Sequence, residues 1–145
     1  MKKLFFLIIF IVIVIIFIFW PKLFSGQKTV KIGSQTFIVE IADQEAEQRL
    51  GLANRPKLAN DQGMLFVYPD KKIRSFWMKN MNFGLDIIWL VDETIVQIDK
   101  NLEPERDNPQ KIYTSRQPVN YVLEINAGLA DRYNFQVGQK VIYNF

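Results

Sequence analysis

An unbroken apolar run near the amino terminus constrains this chain more than any other feature. Leu4 to Trp20 are seventeen consecutive apolar residues, and lysines 2, 3 and 22 lie on the flanks of the run. As a helix rising 1.5 Å per residue, the run would be roughly 25 Å long, close to the ~30 Å apolar thickness of a bilayer. We therefore predict one transmembrane helix, and we assign residues 1–26 to this N-terminal membrane anchor and a short linker.

Two other kinds of apolar leader fit the sequence less well. A cleaved signal peptide would place Leu23 or Phe24 where a small residue is expected. A lipoprotein needs a cysteine to acylate, and the chain has none. Lysines on both sides of the run leave its orientation undecided by charge, but the short tail before it resembles a signal anchor. We expect a single-pass protein of the cell envelope with its domain on the extracytoplasmic side.

The composition of residues 27–145 limits the chemistry of that domain. Three of the 18 basic residues flank the anchor, and the remaining 15 equal the 15 acidic residues, so the domain is formally neutral. This balance gives no support for nucleic-acid binding. The absence of cysteine and histidine excludes disulfides, thiolate chemistry, histidine-assisted catalysis and the commonest zinc ligand. We expect neither a cofactor nor a metal ion.

Short apolar segments between turn residues predict about eight strands and two short helices. Residues 29–41, with Gly33-Ser34 in the middle, are typical of a hairpin, and Leu85 to Val91 form an almost continuous apolar strand that should be covered on both faces. Asp43 and Asn126 precede the two short helices. The pattern predicts a mainly β (α+β) fold: a small antiparallel β domain, a closed or half-closed barrel.

The most distinctive segment runs from Phe76 to Asn80. If Ile73 to Lys79 form a strand, Trp77 and Lys79 share one face, and Phe76 and Met78 share the other. Trp77 and Lys79 are either ordinary core and surface residues, or the wall of a cleft in which an aromatic platform lies beside an ammonium group. Such a pair suits a small anionic or carbohydrate ligand.

Asp86 is a carboxylate inside an apolar strand, which is costly unless the group is paired or hydrogen-bonded. Lys79 and Arg55 are its natural partners. Asp86 forms a buried ion pair, fixes the loop before it, or lies at the edge of a pocket. Arg55, in a loop, either ties Asp61 or Asp86, or binds the carboxylate or phosphate of a ligand.

Several of these segments together resemble a known family. They are RLGLANR from Arg49, GMLFVYP from Gly63, SFWMKNM from Ser75, LDIIWLVD from Leu85 and YVLEINAG from Tyr121. In this order and spacing they resemble the DUF192 family over about residues 29–143. The resemblance implies a small β-rich domain, often behind a signal or anchor, with no established activity. Some members carry a cysteine pair in the loop where this chain has residues 101–117 without cysteine.

Three functions are compatible with these observations. The first is a ligand-binding or accessory module whose pocket would be formed by Arg55, Trp77, Lys79, Asn80 and Asp86. The second is a hydrolase or lyase with Asp86 as general base and Lys79 as electrostatic stabiliser, although no second carboxylate or nucleophile is evident. The third is a structural partner of a membrane complex. A concave polar cleft would favour the first, and a broad apolar patch the third.

Overall fold

The computed structural model describes residues 26–145. The predicted anchor, apart from its final residue, lies outside this range. Within the range, no helix is both long and apolar enough to cross a bilayer. The described part of the chain contains the β domain.

Nine strands and two short helices make up residues 26–145. The helices are α1 (Glu45–Leu50) and α2 (Leu129–Arg132). The strands are β1 (Thr29–Ile32), β2 (Gln35–Ala42), β3 (Gln62–Lys72), β4 (Ser75–Phe76), β5 (Leu85–Val91), β6 (Thr94–Leu102), β7 (Tyr113–Thr114), β8 (Val119–Asn126) and β9 (Val141–Asn144). The prediction of a mainly β fold with two short helices is confirmed.

Seven of the strands form one sheet in the order β6-β5-β8-β3-β2-β1-β9, and β4 and β7 form a separate pair. All neighbours in the large sheet are antiparallel except β2 and β3, which are parallel and are connected through α1. The sheet curls into a half-barrel. At one end its two edges meet, because the Ile95 amide donates to the Gln139 carbonyl and the Gly138 amide donates to the Ile95 carbonyl.

Each face of the curled sheet carries its own apolar core. The inner core includes Phe37, Leu65, Ile88 and Leu123, and α2 adds Leu129 and Ala130 to it. The outer core includes Met64, Phe66, Ile87, Trp89 and Val122, covered by Leu52, Met78 and Met81 from the connecting segments. Strand β5 contributes to both cores, as its continuous apolar sequence predicts.

The structure corrects two details of the prediction. The expected strand from Ile73 to Lys79 is regular only at Ser75–Phe76, and a single bridge joins Lys79 to Glu105 further along. Strand β7, which pairs with β4, is also only two residues long. The sheet is also not purely antiparallel, because α1 returns the chain so that β3 runs alongside β2 in the same direction.

Candidate functional site

The structure separates Asp86 from the cations that were expected to pair with it. The side chain is fully buried, and it accepts hydrogen bonds from the backbone amides of Asn101 (2.8 Å), Gly128 (3.1 Å) and Ala130 (2.8 Å). Two of these amides belong to the start of α2, where a carboxylate satisfies backbone donors that the helix leaves free. The prediction of an ion pair with Arg55 or Lys79 is wrong, because these three amides already surround the carboxylate.

Arg55 is paired with a residue that the sequence did not suggest. Its guanidinium binds the carboxylate of Glu40 on β2 through both terminal nitrogens, with Nη2 2.7 Å from Oε2. The hydrogen bond from Arg55 lowers the pKa of Glu40. Arg55 forms no ion pair with Asp61 or Asp86, so the expectation that it binds one of these two carboxylates is wrong as well. The pair lies at the protein surface, beside the outer core.

The segment from Phe76 to Lys79 alternates between core and solvent, as its sequence predicts. Met78 is fully buried, and the ring of Phe76 packs edge-on between Phe66 and Trp89, with ring centroids 4.8 Å and 5.5 Å away. Trp77 is 52% exposed, so it is not a core residue. The Nζ atom of Lys79 lies 5.9 Å from the centre of the Trp77 ring. An exposed indole and an ammonium group therefore stand side by side.

Asn80 turns the chain away from Trp77 and Lys79. Its backbone adopts a left-handed conformation (φ 56°), its amide donates to the Arg106 carbonyl, and its carbonyl accepts from the Asn54 amide. Asn80 borders a separate polar depression together with Asn54 and Glu105. The structure therefore brings Trp77 and Lys79 together, but it places Asn80 and Asp86 elsewhere.

Trp77 and Lys79 border an open cleft of about 240 Å³ on the outer face of the sheet. We call it the Trp77 cleft. Helix α1 and the residue that ends it form one side, β3 and β8 form the floor, and the segment after β4 forms the other side. Its principal lining residues are Leu50, Gly51, Phe66, Tyr68, Trp77, Lys79 and Glu124.

Glu124 is the residue of this cleft that the sequence reasoning missed. It lies on β8 in a row across the sheet, opposite Met64 of β3, which in turn lies opposite Glu40 of β2. Glu124 is 5% exposed, and no described residue donates a hydrogen bond to its carboxyl group, whose oxygens are not sealed from solvent. Burial raises the pKa of Glu124 to about 8, and the Arg55 charge opposes this only in part. At neutral pH the group is predominantly an uncharged acid.

Gly51 leaves the carboxyl group of Glu124 uncovered. This glycine ends α1 with φ 53°, a left-handed value that favours glycine. A methyl group at Gly51 would lie 3.9 Å from Oε2 of Glu124 and 3.4 Å from the Phe66 ring. The end of the helix thus passes close above the acid without a side chain between them.

Tyr68 adds a second uncharged polar group to the cleft. Burial raises the pKa of its hydroxyl to about 12, so the phenol stays protonated at neutral pH. The guanidinium of Arg74 lies over the ring, 3.8 Å from its centre, and is itself bound to Asp70. The Trp77 cleft therefore combines aromatic surface, two neutral hydroxyl-bearing groups and the ammonium of Lys79. Within residues 26–145, no cluster of acidic side chains is arranged to hold a metal ion.

Comparison with known proteins places the chain in a family. The model of the DUF192 family, described as an uncharacterized ACR, matches residues 28–143. The chain belongs to the DUF192 family. DUF192 is a domain of unknown function, so membership supplies a fold and no reaction. A search of the curated proteins found no match.

Two crystal structures resemble this DUF192 domain. One is a Sinorhizobium meliloti 1021 protein provisionally described as a transcription regulator; it is 32% identical, with a TM-score of 0.74, over 81% of this chain and 92% of the other. The second, from Novosphingobium aromaticivorans DSM 12444, is a protein of unknown function; it is 35% identical, with a TM-score of 0.71, over 80% of this chain and 83% of the other. Both support the fold.

Four of the five sequence segments that resemble DUF192 meet at the Trp77 cleft. RLGLANR supplies Leu50 and Gly51, and GMLFVYP supplies Phe66 and Tyr68. SFWMKNM supplies Trp77 and Lys79, and YVLEINAG supplies Glu124. The fifth segment, LDIIWLVD, forms β5, whose Asp86 holds α2.

Proposed function

We propose that this DUF192 domain is a membrane-tethered binding module that holds a small anionic or carbohydrate ligand in the Trp77 cleft. One observation carries the proposal: Glu124, a buried acid without a hydrogen-bond donor among the described residues, lines an open cleft beside an exposed tryptophan. The carboxyl oxygens of Glu124 are not sealed from solvent, so a bound ligand would replace water as their hydrogen-bond partner.

The properties of the cleft fit such a ligand. The exposed face of Trp77 offers the flat apolar surface on which a sugar ring packs. Lys79 forms no ion pair within 4 Å with any described carboxylate, so its charge is available to an anion. The alternative of a hydrolase or lyase needs Asp86 beside Lys79, whereas Asp86 is enclosed by three backbone amides.

Solution NMR of the full chain in detergent micelles tests the binding proposal. Inorganic phosphate, D-glucose and D-glucuronic acid are titrated separately into isotope-labelled protein. We expect at least one of them to shift the Gly51 amide signal and the Trp77 indole signal, and to leave the signals of β9 unchanged. Trp77→Ala should abolish the shifts of the cleft. The matched control is Phe145→Ala, which removes an equally exposed aromatic ring outside the cleft.

Two results would contradict the proposal. The first is that none of the three probes moves a cleft signal. The second is that Trp77→Ala binds a probe as tightly as the unmodified chain does.

Membrane tethering is a separate part of the proposal, and it rests on the apolar run Leu4–Trp20. The protein should stay with the membrane pellet after an alkaline carbonate wash, and protease added to intact cells should degrade the domain. Release into the supernatant would contradict the anchor. Full protection from protease in intact cells would contradict the extracytoplasmic orientation.

A further inference from the structure

Resting on the proposed binding function, we propose that the Trp77 cleft takes one ring of an acidic sugar. A ring hydroxyl would bind Glu124, the face of the ring would pack on Trp77, and the sugar carboxylate would bind Lys79. The floor, the surrounding charges and the size of the cleft each favour this class of ligand.

The floor of the cleft favours a ligand group that both donates and accepts hydrogen bonds. A neutral carboxylic acid has one O–H donor and a carbonyl acceptor, and the Tyr68 phenol has the same dual character. A sugar hydroxyl matches both. An apolar ligand would leave the Glu124 carboxyl group without a partner in a dry site, which is unfavourable. A cationic ligand would require Glu124 to ionise in a place where burial opposes its charge.

The charges around the cleft favour an anion at its open side. Arg49 of α1 is bound to Glu45 within the same helix, with Nη2 2.8 Å from Oε1. Arg55 is bound to Glu40. With Glu124 uncharged, Lys79 is left as the cation of the cleft that has no carboxylate within 4 Å among residues 26–145. A ligand carboxylate beside Lys79 would supply the missing counter-charge.

The size of the cleft limits the ligand to about one ring. Pockets for drug-sized molecules have volumes of roughly 300–1,000 Å³. The Trp77 cleft, at about 240 Å³, is smaller, and it is open on one side. A single ring fits such a space, and the neighbouring units of a longer chain would extend into solvent.

The inference makes binding depend on the protonation of Glu124. If the acid form alone binds, the apparent dissociation constant increases as the fraction of acid form decreases. Other charged or titratable groups face this site from every neighbouring element. They are Glu40 on β2, Glu45 and Arg49 on α1, Arg55 in the following loop, Tyr68 on β3 and Lys79 after β4. A variant that changes Glu124 alone is needed to separate its effect from theirs.

The test uses the full chain in detergent micelles, D-glucuronic acid as the probe, and NMR titrations at about pH 6 and about pH 9. With a Glu124 pKa of about 8, the affinity of the unmodified chain should fall about tenfold between the two pH values. Glu124→Gln keeps a donor and an acceptor at every pH, and it keeps all the other charged groups. Its affinity should change by less than about threefold over the same range. D-glucose should bind more weakly than D-glucuronic acid, and Lys79→Met should remove the difference.

Each alternative result has a defined meaning. If phosphate binds but D-glucuronic acid does not, the binding function stands and the acidic-sugar inference is wrong. The inference is also wrong if D-glucuronic acid binds equally well at both pH values, or if Glu124→Gln shows the same pH dependence as the unmodified chain. If no probe binds at either pH, both proposals fail. Should Glu124→Gln not fold, the NMR titration of the Glu124 carboxyl carbon in the unmodified chain, with and without D-glucuronic acid, reports on this group alone, and a midpoint that the sugar does not raise would contradict the inference.

Discussion

Arg55 donates to the carboxylate of Glu40 through both terminal nitrogens of its guanidinium. Met64 lies between Glu40 and the buried Glu124 in the same row of the sheet. The carboxyl groups of Glu40 and Glu124 therefore both lie near Arg55, and the exposed one, Glu40, forms the ion pair with it. This arrangement explains how an acid can remain buried and uncharged close to a cation.

The first prediction concerns the competition between the carboxylates of Glu40 and Glu124 for the charge of Arg55. Glu40→Gln removes the charge that holds Arg55, so the field of the guanidinium at Glu124 should become stronger and the pKa of Glu124 should fall. Carbon-detected NMR of the Glu124 carboxyl group over a pH titration measures this change directly. Asp92→Asn, which releases Lys71 outside the Trp77 cleft instead, is the matched control and should leave the titration nearly unchanged. A Glu124 pKa that is unchanged or higher in Glu40→Gln would contradict the proposed competition.

The second prediction concerns the pH dependence of stability. The pKa of Glu124 is raised in the folded state, from 4.5 to about 8, so the folded protein binds a proton that the unfolded chain releases in this interval. The contribution of Glu124 to stability is therefore greatest below about pH 4.5 and is lost as the pH rises toward about 8. At one pKa unit per ~1.4 kcal/mol, the loss is on the order of 3–5 kcal/mol.

Urea unfolding of the full chain and of Glu124→Gln, at several pH values between these limits, measures the effect. The glutamine does not ionise, so the difference in unfolding free energy between the two proteins should change steadily with pH in favour of the variant. A difference that stays constant across the interval would show that Glu124 is ionised in the folded protein.

The third prediction concerns Asp86. Replacing it with asparagine puts an amide group against backbone donors and removes the charge that three amides share. We expect a loss of about 2–4 kcal/mol in unfolding free energy, with the largest increase in hydrogen exchange at α2. Asp131→Asn, which alters an exposed carboxylate on the same helix, is the control and should change stability little. Equal effects of the two substitutions would contradict the structural role of Asp86.

The sequence predicted those parts of the fold that local pattern determines. The hairpin of β1 and β2 and the buried strand β5 follow from periodicity and turn residues that are neighbours in the chain. The sequence also indicated that Asp86 would need partners. It did not identify them, because the donating amides lie 15, 42 and 44 residues further along the chain.

The candidate site was predicted only in part, for a similar physical reason. The alternation of Phe76, Trp77, Met78 and Lys79 determined which side chains face outward. Glu124 gave the same signal as Asp86, an acid in an apolar strand, and that signal could have identified it. Its position under Gly51 depends on how α1 packs against the sheet, which no local pattern encodes.

The fourth prediction concerns Lys79. Its ammonium group forms no ion pair with a described carboxylate within 4 Å, so Lys79→Met should leave the unfolding free energy within about 0.5 kcal/mol of the unmodified value. Arg74→Met is the contrasting variant, because Arg74 is bound to Asp70 and stacked on Tyr68, and it should cost about 1–3 kcal/mol. Thermal melts of both variants provide the measurement. A loss above about 2 kcal/mol at Lys79 would assign this residue to the fold instead of the cleft.

The carboxyl titration of Glu124, recorded with and without D-glucuronic acid, shows whether the floor of the Trp77 cleft is an uncharged acid that contacts the ligand. We expect a midpoint near pH 8 for the free protein and a higher midpoint with the sugar present, because a ligand that prefers the acid form must raise the pKa of Glu124. A midpoint below about pH 6 in the free protein would contradict the uncharged floor of the Trp77 cleft. A midpoint near pH 8 that saturating sugar leaves unchanged would contradict Glu124 as a ligand contact.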